Sequence, residues 1–334
     1  MTLADLWFVL IAVLWVGYFV LEGFDFGVGI LLPVLGRDED RRRVLLHTIG
    51  PVWDGNEVWL LVAGGATFAA FPEWYAALFS GFYLPLLVIL LALIGRGVAL
   101  EYRGKSDSVP WRRNWDLVIV AGSLVPALLW GVAFGNIVRG VKLSAEHLYV
   151  GSFLDLLNPY ALLGGLTTLS LFALHGAVFV ALKTTGEVRL HARRLAGRLG
   201  LVAVPVAAGF LFWTQITRGD LGTGLTALAA AVLLVVALVA NRAGREGWAF
   251  LATALTIVAG TVTLFLALYP DVFPSTVDSA NSLTVSNASS TPYTLKIMSW
   301  VAVAFTPIVL LYQGWTYWVF RRRIGVEHLP AGNR

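Results

Sequence analysis

The chain has 334 residues, of which 58% are hydrophobic and 13% are charged, and its mean hydropathy is +0.77. Soluble domains carry about 25% charged residues, so this composition excludes a soluble globular protein. The net charge of +4 does not indicate a nucleic-acid partner, because the basic residues lie in short clusters between apolar runs, where membrane proteins place them. The absence of Cys excludes disulfides, thiolate metal sites, iron–sulfur clusters and covalently attached haem.

Apolar runs of about 20 residues, the length that crosses a bilayer, recur along the sequence. We therefore predict an all-α, polytopic membrane protein in which residues 1–334 form a single integral membrane domain. The first run is much longer than the apolar region of a signal peptide and no basic region precedes it, so we predict a retained helix. The nine predicted transmembrane helices cover residues 6–35, 51–71, 75–102, 113–137, 158–183, 199–217, 222–241, 247–270 and 295–320.

The distribution of Lys and Arg predicts the orientation of the chain. Nineteen of the 24 basic residues lie after the odd-numbered predicted helices, including Arg334 in the C-terminal tail, and four lie in the opposite connections. Because cytoplasmic loops are enriched in Lys and Arg, the N-terminus should face outside and the C-terminus the cytoplasm. The longest outer connection, Asp271 to Thr294, is rich in Ser, Thr and Asn, and we expect a polar surface loop without a core of its own.

Ionisable side chains inside the predicted helices gather in the cytoplasmic half of the bilayer. Glu22 and Asp25 are three residues apart, so they share one face of the first helix, beyond its midpoint. Asp54, Asn56 and Glu57 fall in the first two turns of the second helix. The other groups at this depth are Arg96 and Glu101 in the third predicted helix, Asp116 at the start of the fourth and His175 in the fifth. Ionisable groups at such depths are costly and indicate function by default.

One interpretation of this cluster is a proton route from the cytoplasm. Carboxylates that cannot all stay charged in a medium of low dielectric constant share protons or pair with a cation. On this interpretation the proton-route residues are Glu22, Asp25, Asp54 and Glu57.

A second interpretation of the same residues is structural. Arg96 could form a buried ion pair with Asp25 or Glu57 that holds the first three helices together. Glu101 would then be an interfacial residue that reaches water, and His175 would be a hydrogen-bonding residue in helix packing. We assign Arg96, Glu101 and His175 to this supporting group and leave both interpretations open.

The histidines do not form a pattern that would bind haem. Haem iron in a helix bundle takes His or Met ligands at matched depths, and only His175 lies securely within a predicted helix. Met298 lies near the outer end of the ninth predicted helix, too far from His175 to share a haem with it. We therefore expect no haem and no metal on this chain's own ligands. Redox chemistry would need cofactors in another subunit.

Several unusual motifs occur in order along the first five predicted helices. They are LEGFDFGVG at 21–29, GPVWDGNEVWL at 50–60, AGGA at 63–66, RG at 96–97 before EYR at 101–103, NPY at 158–160 and LHGA at 174–177. Together they resemble subunit II of the cytochrome bd-type quinol oxidases, and the length and the number of predicted helices agree with that family.

The resemblance implies two four-helix bundles plus one peripheral helix, and a heterodimer with a haem-bearing subunit I in the bacterial cytoplasmic membrane. The complex would oxidise quinol and reduce dioxygen to water with protons taken from the cytoplasm. Subunit I would carry haems b and d, and quinone or quinol would be the substrate or a bound lipid. Small accessory membrane subunits and lipids are further partners that the resemblance implies. One position departs from some relatives, because Val52 stands where they have a His, so a relay through that imidazole is absent.

Two other classes of function compete with this hypothesis. A proton-coupled secondary transporter would also hold carboxylates within its helices, but transporter sites usually lie near the midplane between inverted repeats. Here the carboxylates are displaced toward the cytoplasm and no convincing inverted repeat is present. A purely structural membrane scaffold would not require the costly buried acids.

Overall fold

The computed structural model describes residues 2–328, and Arg334, which contributes to the predicted orientation, lies outside them. Most of the described residues are in α-helices. The first six helices are α1 (Leu3–Leu35), α2 (Glu39–Ile49), α3 (Trp53–Ala70), α4 (Pro72–Gly81), α5 (Tyr83–Tyr102) and α6 (Val109–Arg139). The others are α7 (Pro159–Lys183), α8 (Gly186–Arg218), α9 (Leu221–Arg242), α10 (Glu246–Leu268) and α11 (Pro292–Val319). Two short strands, β1 (Asp271–Phe273) and β2 (Leu283–Thr284), pair antiparallel.

The helices are those of a polytopic membrane protein, as predicted. Eight of them are long and apolar enough to cross a bilayer, namely α1 and α5 to α11. The second predicted transmembrane segment, 51–71, does form a helix, α3, but α3 is not one of these eight. The reason is its polar first two turns, which contain Asp54, Asn56 and Glu57.

The third predicted transmembrane segment, 75–102, is two helices rather than one. Its first part belongs to α4, which begins at Pro72, and α5 starts only at Tyr83. Pro85 explains the break, because it lies in the first turn of α5, where its missing amide removes no helical hydrogen bond. Before α4, Phe71 is non-helical, with φ −136° and ψ 70°, as expected for a residue that precedes proline.

Helix α1 is the central helix of the fold and packs against α3, α6, α7 and α10. Gly27 lies where α1 crosses α7, and a Cβ there would stand 2.7 Å from the Cα of Gly176. Gly29 similarly faces Ser123 of α6, whose side chain would clash with a Cβ at position 29. Because small residues allow helix backbones to approach closely in a membrane, these glycines determine where the neighbours of α1 lie.

Helix α11 lies at the periphery. Leu295 is its one buried residue, and its carbonyl accepts a hydrogen bond of 3.2 Å from the indole Nε1 of Trp7. Large apolar side chains such as Leu311 and Trp318 are exposed along the helix. The outer face of α11 is therefore available to lipid or to another subunit.

The outer connection after α10 is more ordered than the sequence suggested. We expected a polar surface loop from Asp271 to Thr294, but the segment forms β1 and β2 and buries Val272, Phe273 and Leu283. These side chains join the hydrophobic core of the helices. The segment has no separate core, in agreement with the prediction, but it folds onto the end of the bundle because its few apolar residues are buried there.

Ion pairs hold the predicted cytoplasmic ends of several helices together. The guanidinium of Arg103, just after α5, donates to both carboxylate oxygens of Glu39 in α2, at 3.0 and 2.9 Å. It also donates to Asp116 in α6 at 2.5 Å. Partial burial raises the pKa of Glu39, but the hydrogen bonds and charge of Arg103 outweigh this and hold that pKa below its usual range.

Candidate functional site

Two carboxylates of α1 are completely buried. Glu22 and Asp25 have no exposed surface, and their spacing places both on one face of the helix, toward α3 and α5. The glycine-rich sequence around them keeps α1 close to its neighbours, so the surrounding helices exclude lipid and water from this turn. A buried carboxylate requires a cation or hydrogen-bond donors nearby.

Arg96 of α5 provides the cation. Its side chain is 1% exposed, contacts Glu22 as an ion pair and lies 3.6 Å from Oε2 of Glu57 in α3. The guanidinium also stands 4.7 Å above the ring of Phe26. Gly122 of α6 makes room for the base of the Arg96 side chain, because a Cβ at that position would lie 2.7 Å from the Cβ of Arg96. Three helices therefore meet at one buried guanidinium.

Asp25 has a different partner. The amide nitrogen Nδ2 of Asn56, which is buried in α3, donates to Oδ2 of Asp25 at 2.7 Å. The oxygen of the same amide accepts from the hydroxyl of Tyr317 at 2.7 Å and from Nε2 of Gln313 at 3.3 Å. Gln313 in turn accepts from the indole of Trp59 at 2.8 Å. This network links α1, α3 and the peripheral α11.

Sequence reasoning missed Gln313 and Tyr317. Both lie in the last predicted transmembrane helix, at a position along the bilayer comparable to Asn56, and both point to α3. A Gln within an otherwise apolar helix was the signal that could have identified them, since polar side chains in membranes usually form hydrogen bonds between helices.

Two predicted site residues lie outside the buried cluster. Asp54 is exposed in the first turn of α3, where its carboxylate accepts a hydrogen bond of 2.7 Å from the backbone amide of Gly55. Glu101 is exposed near the end of α5. Glu57, one turn after Asp54, has a side chain that is 22% exposed, so it lies between the exposed carboxylate and the buried ones.

His175 is buried in α7 and is separate from Arg96. Its Nε2 lies 3.2 Å from the carbonyl oxygen of Val20 and its Nδ1 lies 2.7 Å from the hydroxyl of Thr253 in α10. Because a carbonyl oxygen only accepts, Nε2 must donate to Val20. The imidazole is stacked on Phe250, with ring centres 4.6 Å apart. His175 thus connects α1, α7 and α10 by hydrogen bonds.

A narrow apolar cavity of about 130 Å³ lies away from these charges, between α1 and helices α6 to α10. Small residues such as Gly131 and Gly164 form part of its wall, together with Phe134 and Phe172. It reaches the surface beside Ala231 and Val235, which are exposed. Such a cavity suits a flat or flexible apolar molecule rather than an ion.

The comparisons with known proteins assign the family. The sequence profile described as "Cytochrome bd terminal oxidase subunit II" matches residues 3–320. The chain belongs to this family. It is 44% identical over 328 residues to "Cytochrome bd ubiquinol oxidase subunit 2" of Bacillus subtilis (strain 168), with 97% of each chain covered. It is 36% identical to "Cytochrome bd-I ubiquinol oxidase subunit 2" of Escherichia coli (strain K12), with 97% of this chain and 96% of that protein covered.

A solved structure agrees with the fold of this bd oxidase subunit II. The chain matches one chain of "The structure of bd oxidase from Geobacillus thermodenitrificans" with a TM-score of 0.78, covering 96% of this chain and 99% of that one. The identity is 17%, so this likeness supports the fold alone. The predicted family is confirmed, and with it a role as one subunit of a terminal oxidase that includes a subunit I. The transporter alternative is not favoured by these matches.

The buried histidine of this subunit II, His175, does not fit the role of a haem ligand. The membrane-embedded His175 uses both ring nitrogens in hydrogen bonds, and one face of its ring is covered by Phe250. An axial haem ligand needs a free nitrogen directed at iron. Within residues 2–328, no group of three His, Asp or Glu side chains is arranged to hold a metal ion.

Proposed function

We propose that this chain is the haem-free subunit II of a quinol oxidase, and that with subunit I it couples quinol oxidation to reduction of dioxygen to water. The proposed activity is based on the relatives in B. subtilis and E. coli, which are named as ubiquinol oxidase subunits. The haems b and d of subunit I would supply electron transfer and oxygen reduction. This chain's own contribution would be structural support and proton handling. The single observation that carries this role is the buried Glu22–Arg96–Glu57 group.

Reduction of one dioxygen to two waters consumes four protons and four electrons, so the complex needs a path for protons. Glu22 and Glu57 share one buried guanidinium, that of Arg96, and the buried Asp25 has only the neutral amide of Asn56 as its partner. Three carboxylates with one cation would leave uncompensated negative charge in a medium of low dielectric constant. The group should therefore hold at least one proton, and a group that holds a proton can pass it on.

The exposure of Asp54, Glu57 and Glu22 suggests an order for the proton route. Asp54 is exposed at the start of α3 and would take up protons from water. Glu57 lies one turn further and would receive them next, followed by Glu22 across Arg96. Because Val52 occupies the position before Trp53, no imidazole assists this first step, and water or Glu57 must connect to Asp54. Arg96 and Glu101 would support the route electrostatically, and His175 would hold α7 and α10 against α1.

The membrane arrangement is part of the proposal. Residues 1–334 would form one domain in the bacterial cytoplasmic membrane, with the N-terminus outside and the C-terminus in the cytoplasm. The nine membrane-spanning units would be the eight apolar helices plus α3. Contacts among α1, α3, α5 and α6, and among α7, α8, α9 and α10, support two four-helix bundles with α11 outside them.

Subunit I would cover the face formed by α3, α5 and α11. Leu61 of α3 and Leu91 of α5 are exposed there, together with most of α11. A protein partner would bury these apolar side chains. Lipids and small accessory subunits would cover the other apolar faces.

The apolar cavity would hold the tail of a quinone or another lipid. Its walls of Gly, Ala and Phe offer apolar contacts and few hydrogen-bond donors. This suits an isoprenoid or acyl chain better than the polar ring of a quinol.

Co-expression with subunit I tests the proposed function. The tagged chain should retain a haem-bearing partner in mild detergent, and the purified complex should oxidise quinol with uptake of dioxygen. If the chain purifies without any haem protein, and membranes that lack it keep full oxidase activity, the proposal is wrong.

A further inference from the structure

A groove of about 1190 Å³, including its open mouth, lies at the predicted cytoplasmic end of α6. The C-terminal end of α1, the helix α2 and the first three turns of α6 form its walls. None of the proposed proton-route residues lines it, so it is a separate feature of the molecule.

The rim of the groove has a positive charge that the protein does not neutralise. Arg113 is exposed and forms no ion pair within residues 2–328. Across the groove, Arg42 donates to the carbonyl of Gly36 at 2.9 Å and lies 3.4 Å from Asp116. The carboxylate of Asp116 is already bound by Arg103 at 2.5 Å. Two arginines thus face the groove, and its one carboxylate is shared between Arg42 and Arg103.

The wall below this rim is apolar. Leu117 is 69% exposed, and Pro33 and Val120 lie beside it. Val120 follows Arg113 by seven residues, which is about 10 Å along α6 toward the middle of the bilayer. Charged groups at the helix end with apolar side chains about 10 Å deeper match the order of headgroup and acyl chains in a phospholipid leaflet.

We propose that this groove binds an anionic glycerophospholipid. The guanidinium groups of Arg42 and Arg113 would bind the phosphate, because arginine forms paired hydrogen bonds with phosphate oxygens. The amide of Asn114, also in the wall, would bind headgroup hydroxyl or ester oxygens. The acyl chains would lie along Pro33 and Leu117. Basic pockets between transmembrane helices bind anionic headgroups in this way.

The apolar wall distinguishes a lipid from a free phosphate ion, which would need only the arginines. A zwitterionic lipid would make the same apolar contacts with the wall. Its ammonium group, however, would come close to the positive charge of Arg113. The proposal therefore specifies a lipid with net negative charge.

Native mass spectrometry of the intact oxidase complex, titrated with phosphatidylglycerol in mild detergent, tests the proposal. Parallel titrations use phosphatidylcholine and inorganic phosphate. The variants are Arg113→Gln, which breaks no ion pair among the described residues 2–328, and Arg113→Glu, which reverses the charge. The matched control is Arg198→Gln, because Arg198 is exposed on α8 away from the groove.

We expect the first phosphatidylglycerol to bind about fivefold more weakly to Arg113→Gln, the loss expected for one arginine near an anionic headgroup, and more weakly still to Arg113→Glu. Phosphatidylcholine should bind without this dependence, and Arg198→Gln should behave as the wild type. Equal affinity in all variants, or an equal loss in Arg198→Gln, would overturn the proposal. Full displacement of the lipid by inorganic phosphate at comparable concentration would overturn it too, because the site would then recognise the ion alone.

Discussion

The side-chain amide of Asn56 donates a hydrogen bond of 2.7 Å to a buried carboxylate oxygen of Asp25. An amide does not take up or release protons near neutral pH, so Asn56 fixes the position of Asp25 but cannot pass a proton to it. Asp25 is therefore held from the α3 side by a group that does not titrate. Glu22, by contrast, contacts Arg96 and through it Glu57. If protons move through this subunit, the Glu22 branch is the one connected to the exposed Asp54.

The network around Asn56 predicts a specific effect of losing the Tyr317 hydroxyl. Tyr317→Phe removes a hydrogen bond of 2.7 Å to Asn56 and should destabilise the complex by about 0.5–1.5 kcal/mol. Tyr312→Phe is the matched control, because Tyr312 lies on the same helix with its side chain exposed. Thermal unfolding of the purified complex measures both. Equal melting temperatures for the two variants would show that the hydroxyl does not link α11 to α3.

Removal of the Arg96 charge should be far more damaging. Arg96→Met leaves Glu22 and Glu57 without their cation, and a broken buried ion pair typically costs about 3–5 kcal/mol. The double variant Arg96→Met with Glu22→Gln should recover part of this loss, because it removes one of the unpaired charges. The yield and thermal stability of the complex measure both variants. If the stability losses of Arg96→Met and Glu22→Gln simply add in the double variant, the ion pair between these residues is contradicted.

The crossing of α1 and α7 depends on the absence of a side chain at Gly27. Gly27→Ala places a methyl group against the backbone of Gly176 and should cost about 1–3 kcal/mol, as overpacking of a core does. Gly197→Ala on α8 provides the control, because no atom lies within 4 Å of the added Cβ. That variant should keep full stability. Comparable losses in both would indicate an effect of alanine that is unrelated to helix contact.

Glu39 should make stability depend on pH in the acidic range. Its pKa is lower in the folded protein than in the unfolded chain, so the stabilisation is present above the unfolded value, about 4.3, and is lost as the pH falls through the folded value. Because Glu39 is partly exposed, Glu39→Gln should cost only about 0.5 kcal/mol at pH 7. The difference from the wild type should shrink below about pH 4.

Thermal unfolding at pH 7 and at lower pH tests this effect. Asp40→Asn is the control on the same helix, since Asp40 is exposed and forms no ion pair within residues 2–328. A larger difference between the wild type and Glu39→Gln at low pH than at pH 7 would contradict the assigned sign.

Much of the fold and part of the site follow from local sequence. The apolar runs located the membrane helices, and the spacing of Glu22 and Asp25 placed them on one face of α1. The prediction grouped Arg96 with the carboxylates but could not determine which would be its partner, because that depends on how α5 is rotated against α1. Gly122, on a fourth helix, lets α6 approach α5 closely at Arg96, and a contact of this kind is not visible in the sequence of α5.

Other features depend on contacts between distant segments. Gln313 and Tyr317 both donate to Asn56, although they lie more than 250 positions from it in the sequence. Local sequence patterns do not reveal hydrogen bonds over such a separation. The fold of β1 and β2 was missed because strands of three and two residues are too short to show an alternating pattern. The break before α5, by contrast, could have been predicted from Pro85.

The most direct test of a proton route in this subunit is the quinol oxidase turnover of a complex that carries both Asp54→Asn and Glu22→Gln, at the exposed start and the buried end of the proposed route. Turnover is measured per haem, with the haem absorption spectrum as the check on assembly and with Glu73→Gln as the control, because Glu73 is an exposed acid of α4 outside the proposed route. We predict a loss of about tenfold or more, because a positioned proton-transferring group typically contributes at least about 10²-fold, while the haem spectrum and the control stay unchanged. Wild-type turnover in the double variant, with intact haems, would contradict the proposal that protons reach the oxidase through these carboxylates.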